Sequence, residues 1–484
     1  MTDALYAAAP ADPAAWVARL DLAMTVDGAD APAAGRAPVL DPASETVVAT
    51  TPVADAAGTE AAIEAAHRAF PAWSRTSWEH RRDRLLAYAD ALEAAKQDLS
   101  ILLTAETGKP LRRALSEVTV GIIYVRTIAG QVLPDRDYTK SSGGSARLVH
   151  RPLGVAAAIA PWNGPVVLGL AKVANALLAG DTLVMKPSPF TPLTALLMGR
   201  IGRNVFPAGV FNVVAGDGDV GQVLTSHPLV AKVSFTGSTI TGRKIAVAAA
   251  PTLKRLTLEL GGNDAAIVLP DADLDRTAAM VFGTAFAGAG QFCAAVKRLL
   301  VHRDVHDALR DRLVALAEGT SVGPGWDPAH HMGPVQNRAQ YQRILDLTAE
   351  ARAAGGRILS GGPIDGPGFF LRPAIIEGVG PGIRLVDEEQ FGPALPLIAF
   401  DTTEEALALA NQGDYGLGGS AWTRDIAAGV ALAEQMDVGS AWINQHGAFS
   451  AELPMPFARQ SGLGMDYAEW GVAEHSRAML INVA

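Results

Sequence analysis

Cysteine is the strongest nucleophile among the common side chains, and this chain of 484 residues contains only one, Cys293. Cys293 follows a turn that contains Gly290 and precedes the apolar run 299–301, which predicts a strand. A thiolate at such a turn is able to attack a carbonyl carbon. Taken alone, however, a single cysteine more often fills a core as a small apolar side chain. The neighbouring motifs must therefore decide between a nucleophile and a core residue.

Two further polar residues lie where apolar strands are predicted to end. Glu259 closes the run 253–258 and is followed by two glycines. A carboxyl group in this setting either has a raised pKa suited to proton abstraction, or serves as a cap or structural ion pair. Asn163 lies in the loop Pro161-Trp162-Asn163-Gly164-Pro165, which is either a simple turn or a support for an amide donor to an oxyanion.

Two other motifs suit a phosphorylated ligand. The segment Phe235-Thr236-Gly237-Ser238-Thr239-Ile240-Thr241-Gly242 follows the predicted strand 232–235 and opens a helix, whose N-terminal N–H groups favour a phosphate. It departs from the usual Gly-x-Gly-x-x-Gly pattern, so a plain strand-to-helix turn is the alternative. Lys186 follows the predicted strand 182–185, where it either reaches a ligand in the crevice or is a solvated surface lysine.

The elements that must position these residues alternate between strands and helices. Apolar periodicity predicts a first block of strands at 155–159, 182–185, 210–214, 232–235 and 253–258, and a second block at 265–269, 299–301, 395–400 and 439–443. It predicts helices at 59–70, 79–100, 166–178 and 191–204, after an irregular arm with short strands over the first fifty residues. We therefore predict an α/β fold of two doubly wound, mostly parallel-sheet domains. The apolar runs 147–150 and 478–483 lie outside both blocks and could add strands to a partner's sheet.

Composition limits the class of protein. The chain is 49% hydrophobic and 19% charged, with a formal net charge of −10, which is typical of a soluble globular protein and argues against nucleic acid as a partner. One cysteine cannot form an intrachain disulfide framework, so we expect a reducing, cytoplasmic location. The first residues do not resemble a signal peptide, and the longest apolar candidate, 153–170, is interrupted by prolines, so no membrane association is expected.

Together these motifs resemble the aldehyde dehydrogenase superfamily over nearly the whole chain. Asn163, Glu259 and Cys293, with a 34-residue gap between the last two, are similar to the catalytic set of that family. The resemblance also rests on Lys186-Pro187-Ser188, on Glu259-Leu260-Gly261-Gly262, and on Glu389-Gln390-Phe391-Gly392-Pro393. The segments 259–268 and 293–298 resemble bacterial members of broad or unassigned substrate range.

The resemblance implies a mechanism. Cys293 would attack an aldehyde to form a thiohemiacetal, while the Asn163 amide and the Cys293 backbone N–H hold the oxyanion. Hydride transfer to a nicotinamide would leave a thioester, which water activated by Glu259 would hydrolyse to the acid. Members that acylate coenzyme A lack a glutamate at this position, so Glu259 favours acid formation.

The resemblance also assigns the remaining site residues, with NAD or NADP as cofactor and no metal. The residues expected to bind the cofactor are Ile159, Ala160, Pro161, Trp162, Lys186, Gly237, Ser238, Thr239, Gly242, Leu260, Glu389 and Phe391. Those expected to line the substrate pocket are Gly164, Phe286, Phe292 and Phe449.

The chain departs from the family pattern at three places. Pro189 replaces a glutamate that would bond ribose hydroxyls and repel a 2′-phosphate, so NADP is not excluded. Gly164 replaces a bulky aromatic residue, which widens the expected aldehyde tunnel and favours apolar or aromatic aldehydes over semialdehydes. Near the C-terminus, the usual Pro-Phe-Gly-Gly-x-Lys-x-Ser-Gly of the family appears as Pro454-Met455-Pro456-Phe457-Ala458-Arg459-Gln460-Ser461-Gly462, so the paired glycines are replaced and the conformation of that loop is in question.

We predict the domain organisation from the same resemblance. Residues 1–130 and 151–262 form the cofactor-binding domain, and 263–445 form the catalytic domain. Residues 131–150 and 471–484 supply a small β flap for a homodimer or homotetramer, and 446–470 form a substrate-entrance loop. Two other classes remain as alternatives: a catalytically silent binding scaffold, and a thiol esterase that uses Cys293 and Glu259 without a cofactor.

Overall fold

The computed structural model describes residues 2–7 and 9–483 of the chain. Met1 and Ala8, which belong to the predicted first domain, and Ala484, the last residue of the predicted flap, lie outside the described residues. The described strands are β1 (Met24–Val26), β2 (Ala29–Ala31), β3 (Gly35–Asp41), β4 (Thr46–Val53), β5 (Arg136–Thr139), β6 (Ser145–Pro152), β7 (Val155–Ile159), β8 (Thr182–Lys186), β9 (Phe211–Val213), β10 (Val230–Thr236), β11 (Arg255–Glu259), β12 (Ala265–Val268), β13 (Arg298–His302), β14 (Arg357–Ile358), β15 (Gly362–Pro363), β16 (Leu371–Arg372), β17 (Ala374–Glu377), β18 (Ala394–Phe400), β19 (Tyr415–Gly416), β20 (Gly418–Trp422), β21 (Ser440–Ile443), β22 (Met455–Pro456), β23 (Ala458–Arg459), β24 (Gly462–Leu463), β25 (Met465–Asp466) and β26 (Ser476–Val483).

The helices surround two large sheets. They are α1 (Thr2–Ala7), α2 (Pro13–Ala18), α3 (Ala56–Trp73), α4 (Trp78–Ala94), α5 (Lys96–Thr107), α6 (Leu111–Ala129), α7 (Pro165–Ala179), α8 (Leu193–Gly202), α9 (Gly218–Ser226), α10 (Thr239–Ala249), α11 (Leu274–Ala285), α12 (Arg303–Glu318), α13 (Arg338–Ala353), α14 (Arg384–Asp387), α15 (Thr403–Ala410), α16 (Ile426–Ala433) and α17 (Ala468–Ala473). The predicted α/β class with two mostly parallel sheets is confirmed.

The first sheet has the strand order β2-β1-β9-β8-β7-β10-β11-β24. Strands β9, β8, β7, β10 and β11 run parallel to one another, while the short edge strands are antiparallel. The central strands β7 and β8 are buried along their whole length, because helices cover both faces of the sheet. This burial explains why 155–159 and 182–185 read as continuous apolar runs rather than as alternating ones.

The second sheet has the order β14-β17-β18-β13-β12-β20-β21 and is parallel except for β14. Alternate residues of its central strand β12 point to opposite faces. Ile267 packs into a core with Ile344 and Leu347 of α13, whereas Val268 packs with Leu309 and Leu313 of α12. The two helical layers therefore hold this sheet from both sides, and they fix the position of the turn that precedes β13.

A separate three-stranded sheet joins β26, β6 and β5. The predicted strands 147–150 and 478–483 pair antiparallel with each other in this sheet, with Leu148 opposite Leu480. The prediction that these runs form strands is confirmed, while their addition to a partner's sheet stays a prediction.

Two local predictions were wrong in detail. The predicted helix 79–100 is two helices, because Ala95 leaves the helical conformation at φ −98° and ψ 9°. Apolar residues continue at helical spacing across Ala95, so the periodicity of the sequence does not reveal the break.

The predicted irregular arm contains α1 and α2 as well as short strands, and Asp12 caps α2 by accepting a hydrogen bond from the Ala15 N–H.

Among the described residues, no helix is long and apolar enough to cross a membrane.

Candidate active site

The strand ends of the first sheet that carry the predicted site residues lie at one edge of the sheet. In the parallel ladder Ile159 lies opposite Lys186 and Phe235, and Thr236 lies opposite Glu259. Because parallel strands end at the same edge of a sheet, the loops that follow them open into a common crevice. Strands β8, β10 and β11 each end at a buried polar residue, namely Lys186, Thr236 and Glu259.

A cleft of about 1320 Å³ runs along this edge and reaches Cys293. Eleven of the twelve residues predicted to bind the cofactor line it, namely Ile159, Ala160, Pro161, Trp162, Lys186, Gly237, Ser238, Thr239, Leu260, Glu389 and Phe391. Gly242 does not line the cleft. A Cβ atom at Gly242 would lie 2.5 Å from the Leu260 side chain, so this glycine allows α10 to pack closely against Leu260.

The N-terminus of α10 faces the cleft. The Ser238 side chain caps this helix by accepting a hydrogen bond from the Thr241 N–H at 3.3 Å. Lys186 is buried beside the cleft, and burial lowers its pKa to about 8, with Asp217 opposing the shift. A helix N-terminus and a lysine on one cleft provide partners for phosphate and ribose groups.

The turn before Cys293 has an unusual backbone. Gly288, Ala289 and Gly290 have φ values of 54°, 58° and 73°, in the left-handed region that favours glycine. A Cβ atom at Gly290 would lie 2.3 Å from the carbonyl oxygen of Gly392. Only glycine therefore fits this position, where the turn passes closely over the loop that carries Glu389.

Hydrogen bonds hold the turn on both sides. The Gln291 side chain donates to the Gly288 carbonyl at 2.9 Å and accepts from the Gln336 N–H at 2.8 Å. The Asn163 Nδ2 donates to the Gln291 carbonyl at 3.1 Å. An amide group carries two hydrogens, so one remains for a ligand. Among the described residues, no acceptor takes the backbone N–H of Cys293.

Glu259 is buried, with 2% of its surface exposed, and neither carboxyl oxygen has a hydrogen-bond partner among the described residues. The Cys293 thiol and the Thr236 hydroxyl face the carboxyl group without reaching normal hydrogen-bond geometry. Burial raises the pKa of Glu259 to about 7, while the Cys293 thiol and Lys172 oppose the shift. A carboxyl group with this pKa can accept and release a proton near neutral pH.

Cys293 is also buried, with 8% of its surface exposed. Burial, followed by the charge of Glu259, raises the pKa of the thiol well above its ordinary value, and Lys297 opposes this shift. The thiol therefore needs an adjacent base in order to react as a thiolate. The facing carboxyl group of Glu259 is such a base.

The sequence analysis missed a polar group behind Glu259. Lys172, on α7, is buried, lies 3.9 Å from Asp466, and donates to the Ser234 hydroxyl at 3.1 Å. The next residue, Tyr467, has a φ of 66° and a buried ring. Lys172 is the only charged residue of α7, whose other residues are apolar or small except for Asn175, and that pattern was the available signal.

A second buried lysine was also missed. Lys297 has 3% of its side chain exposed and lies 3.4 Å from the Glu389 carboxylate. Glu389 in turn accepts the Gly262 N–H at 3.1 Å, and the Phe391 ring packs edge-on against Trp162 at 5.3 Å. Glu389 and Phe391 thus connect the wall of the cleft to the residues that follow Cys293.

The residues predicted for the substrate pocket do not all come together. Phe292 and Phe449 are half-buried and in edge contact, with ring centroids 6.1 Å apart. Gly164 is buried beside Leu168. Phe286 lies elsewhere, because it packs against Phe282 in the core of the second sheet. An apolar residue such as Phe286 can pack in a core or line a substrate pocket, and its position in the sequence alone does not distinguish these two roles.

In the loop where the paired glycines of the family are replaced, Arg459 adopts a φ of 53°. Its guanidinium group donates to the carbonyl oxygens of Asn411 and Tyr415, at 3.0 and 3.2 Å. These bonds stabilise a conformation that favours glycine, so the loop has a defined shape without the paired glycines.

Within the described part of the chain, no group of three His, Cys, Asp or Glu side chains is arranged to hold a metal ion.

Comparisons with known proteins agree with this geometry. The sequence profile of the aldehyde dehydrogenase family matches residues 30–481. An aldehyde dehydrogenase of Fusarium sp. is 37% identical over 436 residues, covering 90% of this chain and 92% of the relative. The mitochondrial succinate-semialdehyde dehydrogenase of Mus musculus is 35% identical over 460 residues, covering 93% and 88%.

Solved structures agree as well. The betaine aldehyde dehydrogenase of Staphylococcus aureus in complex with NAD+ superimposes with a TM-score of 0.94 at 30% identity, covering 97% of this chain and 96% of that one. The chain belongs to the aldehyde dehydrogenase family.

Proposed function

We propose that this enzyme oxidises an aldehyde to the carboxylic acid with NAD or NADP, through a thioester on Cys293. The observation that carries the proposal is the unpaired carboxyl group of Glu259 facing the Cys293 thiol on a cleft suited to a dinucleotide. A buried base beside a buried nucleophile, with two N–H groups close by, fits acyl transfer.

In the first step the thiol proton moves to Glu259 as the sulfur bonds to the carbonyl carbon. The carbonyl oxygen gains the electron pair, and the second hydrogen of the Asn163 amide and the Cys293 N–H stabilise it. When the oxyanion collapses, the carbon loses hydride and the thioester remains.

In the second step Glu259 accepts a proton from water, whose oxygen bonds to the thioester carbon, and the Cys293 thiolate leaves. The acid is then released. Glu259 must return its proton after each step, and Lys172 with Asp466 lies behind it as a buried polar route. The pKa of about 7 suits a group that is protonated and deprotonated in every cycle.

The residues of the cleft fit a nicotinamide dinucleotide. Lys186 would hold the adenosine ribose, Ser238 and the N-terminus of α10 the pyrophosphate, and Glu389 the nicotinamide ribose. When bound, the nicotinamide supplies the acceptor for hydride. Pro189 also lines the cleft and carries no charge to repel a 2′-phosphate.

For the substrate we propose an apolar or aromatic aldehyde. Phe292 precedes the nucleophile and contacts Phe449, which packs against Trp442 at 5.2 Å. Tyr467 and Tyr124 form a second aromatic pair, 5.0 Å apart, close to Glu259. Aromatic walls of this kind favour rings and long chains over a second carboxylate.

The test is reduction of nicotinamide, followed by absorbance, with a panel of aromatic, long-chain and carboxylated aldehydes and with each cofactor. We expect aromatic or long-chain aldehydes to have the highest kcat/KM, and the carboxylic acid to appear in step with the reduced cofactor. The substrate proposal fails if succinic semialdehyde exceeds every apolar aldehyde. The absence of oxidation with every aldehyde would instead support a silent scaffold or an esterase.

Pro189→Glu tests the choice of cofactor. Because a carboxylate would repel the 2′-phosphate, we expect the ratio of kcat/KM for NADP to that for NAD to fall at least about tenfold. Pro189→Gln, which introduces a side chain of similar shape without the charge, is the matched control. A wild-type KM for NADP more than about a thousandfold above that for NAD would contradict the use of both cofactors.

We also propose that the protein is a homodimer or homotetramer. The edge strand β26 exposes Met479, Leu480, Ile481 and Val483. An exposed apolar edge strand favours pairing with another chain. Light scattering should therefore give at least twice the chain mass of 50.3 kDa.

A further inference from the structure

Lys297 follows Cys293 by four residues, and its side chain turns back toward the nucleophile. Its backbone N–H donates to the Asp264 carbonyl at 3.0 Å, which fixes the start of β13. Its ammonium group donates to the Phe292 carbonyl at 2.8 Å and to the Cys293 carbonyl. The ion pair with Glu389 at 3.4 Å provides a third partner. All three donors of a buried cation are thus directed to named acceptors.

The bond to Phe292 bears on the oxyanion. The Phe292 carbonyl and the Cys293 N–H belong to one peptide group, which is planar and trans, so they point in opposite directions. Holding the carbonyl on one side therefore fixes the N–H on the other. A charged donor on the carbonyl also polarises the peptide and makes its N–H a stronger donor.

The positive charge of Lys297 also acts on the Cys293 thiol. The titratable groups around the thiol are Glu259, Glu389, Lys297 and Tyr467, with Lys172 and Asp466 behind Glu259. Of those acting on Cys293 itself, Lys297 is the cation and the two carboxyl groups oppose it. Removing the lysine would leave the charges of Glu259 and Glu389 at the thiol without the cation that opposes them.

We propose that Lys297 is a positioning residue that orients and polarises the Cys293 N–H for the oxyanion and favours the thiolate electrostatically. The inference rests on the proposed function, since it assumes that Cys293 attacks a carbonyl. It adds Lys297 to that mechanism, and it predicts the pH at which the Cys293 thiol becomes reactive.

Because the chain has a single cysteine, the effect of the Lys297 charge on the Cys293 thiol can be measured directly. Every thiol-directed reagent reports on Cys293 alone, so its alkylation by iodoacetamide can be followed by mass spectrometry without cofactor or aldehyde. The comparison is between wild type, Lys297→Met and Lys297→Arg, from about pH 7 to about pH 11.5, since the pKa of the thiol lies well above its ordinary value. Lys254→Met is the matched control, because Lys254 is also buried and donates to two carbonyls, those of His227 and Val230.

We expect Lys297→Met to raise the midpoint of alkylation by roughly one pH unit, and Lys297→Arg and Lys254→Met to leave it near the wild-type value. In the aldehyde assay, Lys297→Met should lower kcat/KM by about a hundredfold, as expected for a weakened oxyanion donor. An unchanged midpoint in folded Lys297→Met, or an equal shift in Lys254→Met, overturns the inference.

The double variant Lys297→Met with Glu389→Gln covers the case in which the single variant does not fold. It removes the carboxylate that the single variant leaves without a counterion. We expect the alkylation midpoint of the double variant to lie within about half a pH unit of the wild-type value, because one cation and one carboxylate are removed together, but its kcat/KM to stay low. A recovered kcat/KM overturns the positioning role. A midpoint shift without aldehyde oxidation in wild type would support the electrostatic role while the proposed function fails.

Discussion

The base and the nucleophile of the candidate site are held in different ways. Glu259, at the end of β11, has no hydrogen bond to its carboxyl group among the described residues and is influenced by the charges of Lys172 and Asp466. Cys293, in a turn before β13, has its backbone fixed by bonds through Gln291 and Lys297. The base thus keeps an adjustable pKa, whereas the nucleophile keeps a fixed position. This difference suits a base that exchanges protons in every cycle and a nucleophile that must meet a carbonyl at one distance.

Removing the nucleophile should have the largest effect. Cys293→Ala is expected to abolish aldehyde oxidation, a loss of at least about 10⁴-fold in kcat, because no thioester can form. Reduction of cofactor by the purified variant measures this. Its thermal unfolding should stay close to that of wild type, and residual oxidation near the wild-type rate would contradict the role of Cys293.

Removing the base should separate the two steps. Glu259→Gln is expected to lower steady-state turnover by about 10²- to 10⁴-fold, while a first equivalent of reduced cofactor still forms, more slowly than in wild type because the thiol has also lost its base. Stopped-flow measurement of the burst checks this. Steady turnover at the wild-type rate would exclude Glu259 as the hydrolytic base.

The same variant gives a stability test with a defined sign. The folded pKa of Glu259, about 7, is above the ordinary carboxyl value of 4.5, so the folded state binds the proton more tightly than the unfolded state. This contribution to stability is complete below about pH 4.5 and is lost as the pH rises through about 7. Glu259→Gln should therefore raise Tm relative to wild type more at about pH 8 than at about pH 5, which calorimetry measures.

The charges behind the base should give the smallest and most specific effects. Lys172 lowers the pKa of Glu259 and Asp466 raises it. Lys172→Met should therefore move the acid limb of the kcat profile to higher pH, and Asp466→Asn should move it to lower pH, each by roughly one unit or less. Shifts of the same sign in both variants would show that the charges do not set this pKa.

Several features could be predicted from local sequence because local interactions decide them. The strands 155–159 and 182–185 are apolar runs whose burial follows from covered parallel strands. Glu259 and Asn163 stand out because polar residues rarely end such runs without a reason. The break at Ala95 was not predicted, because alanine suits a helix interior and a helix end equally well. The site roles of Phe286 and Gly242 stay predictions, since an apolar or small residue suits a pocket, a core or a helix contact equally well.

The residues alone were enough to establish the α/β class, the order of the strands along the chain, and the presence of a cysteine, a carboxyl group and an amide suited to aldehyde oxidation. The roles of Lys172 and Lys297 emerged only in the folded molecule, since their ion pairs with Asp466 and Glu389 join segments far apart in the chain. Burial raised the pKa of Glu259, and burial is a property of the packed molecule rather than of any residue. The residue types therefore supply the chemistry, while packing sets the charges and positions under which it operates.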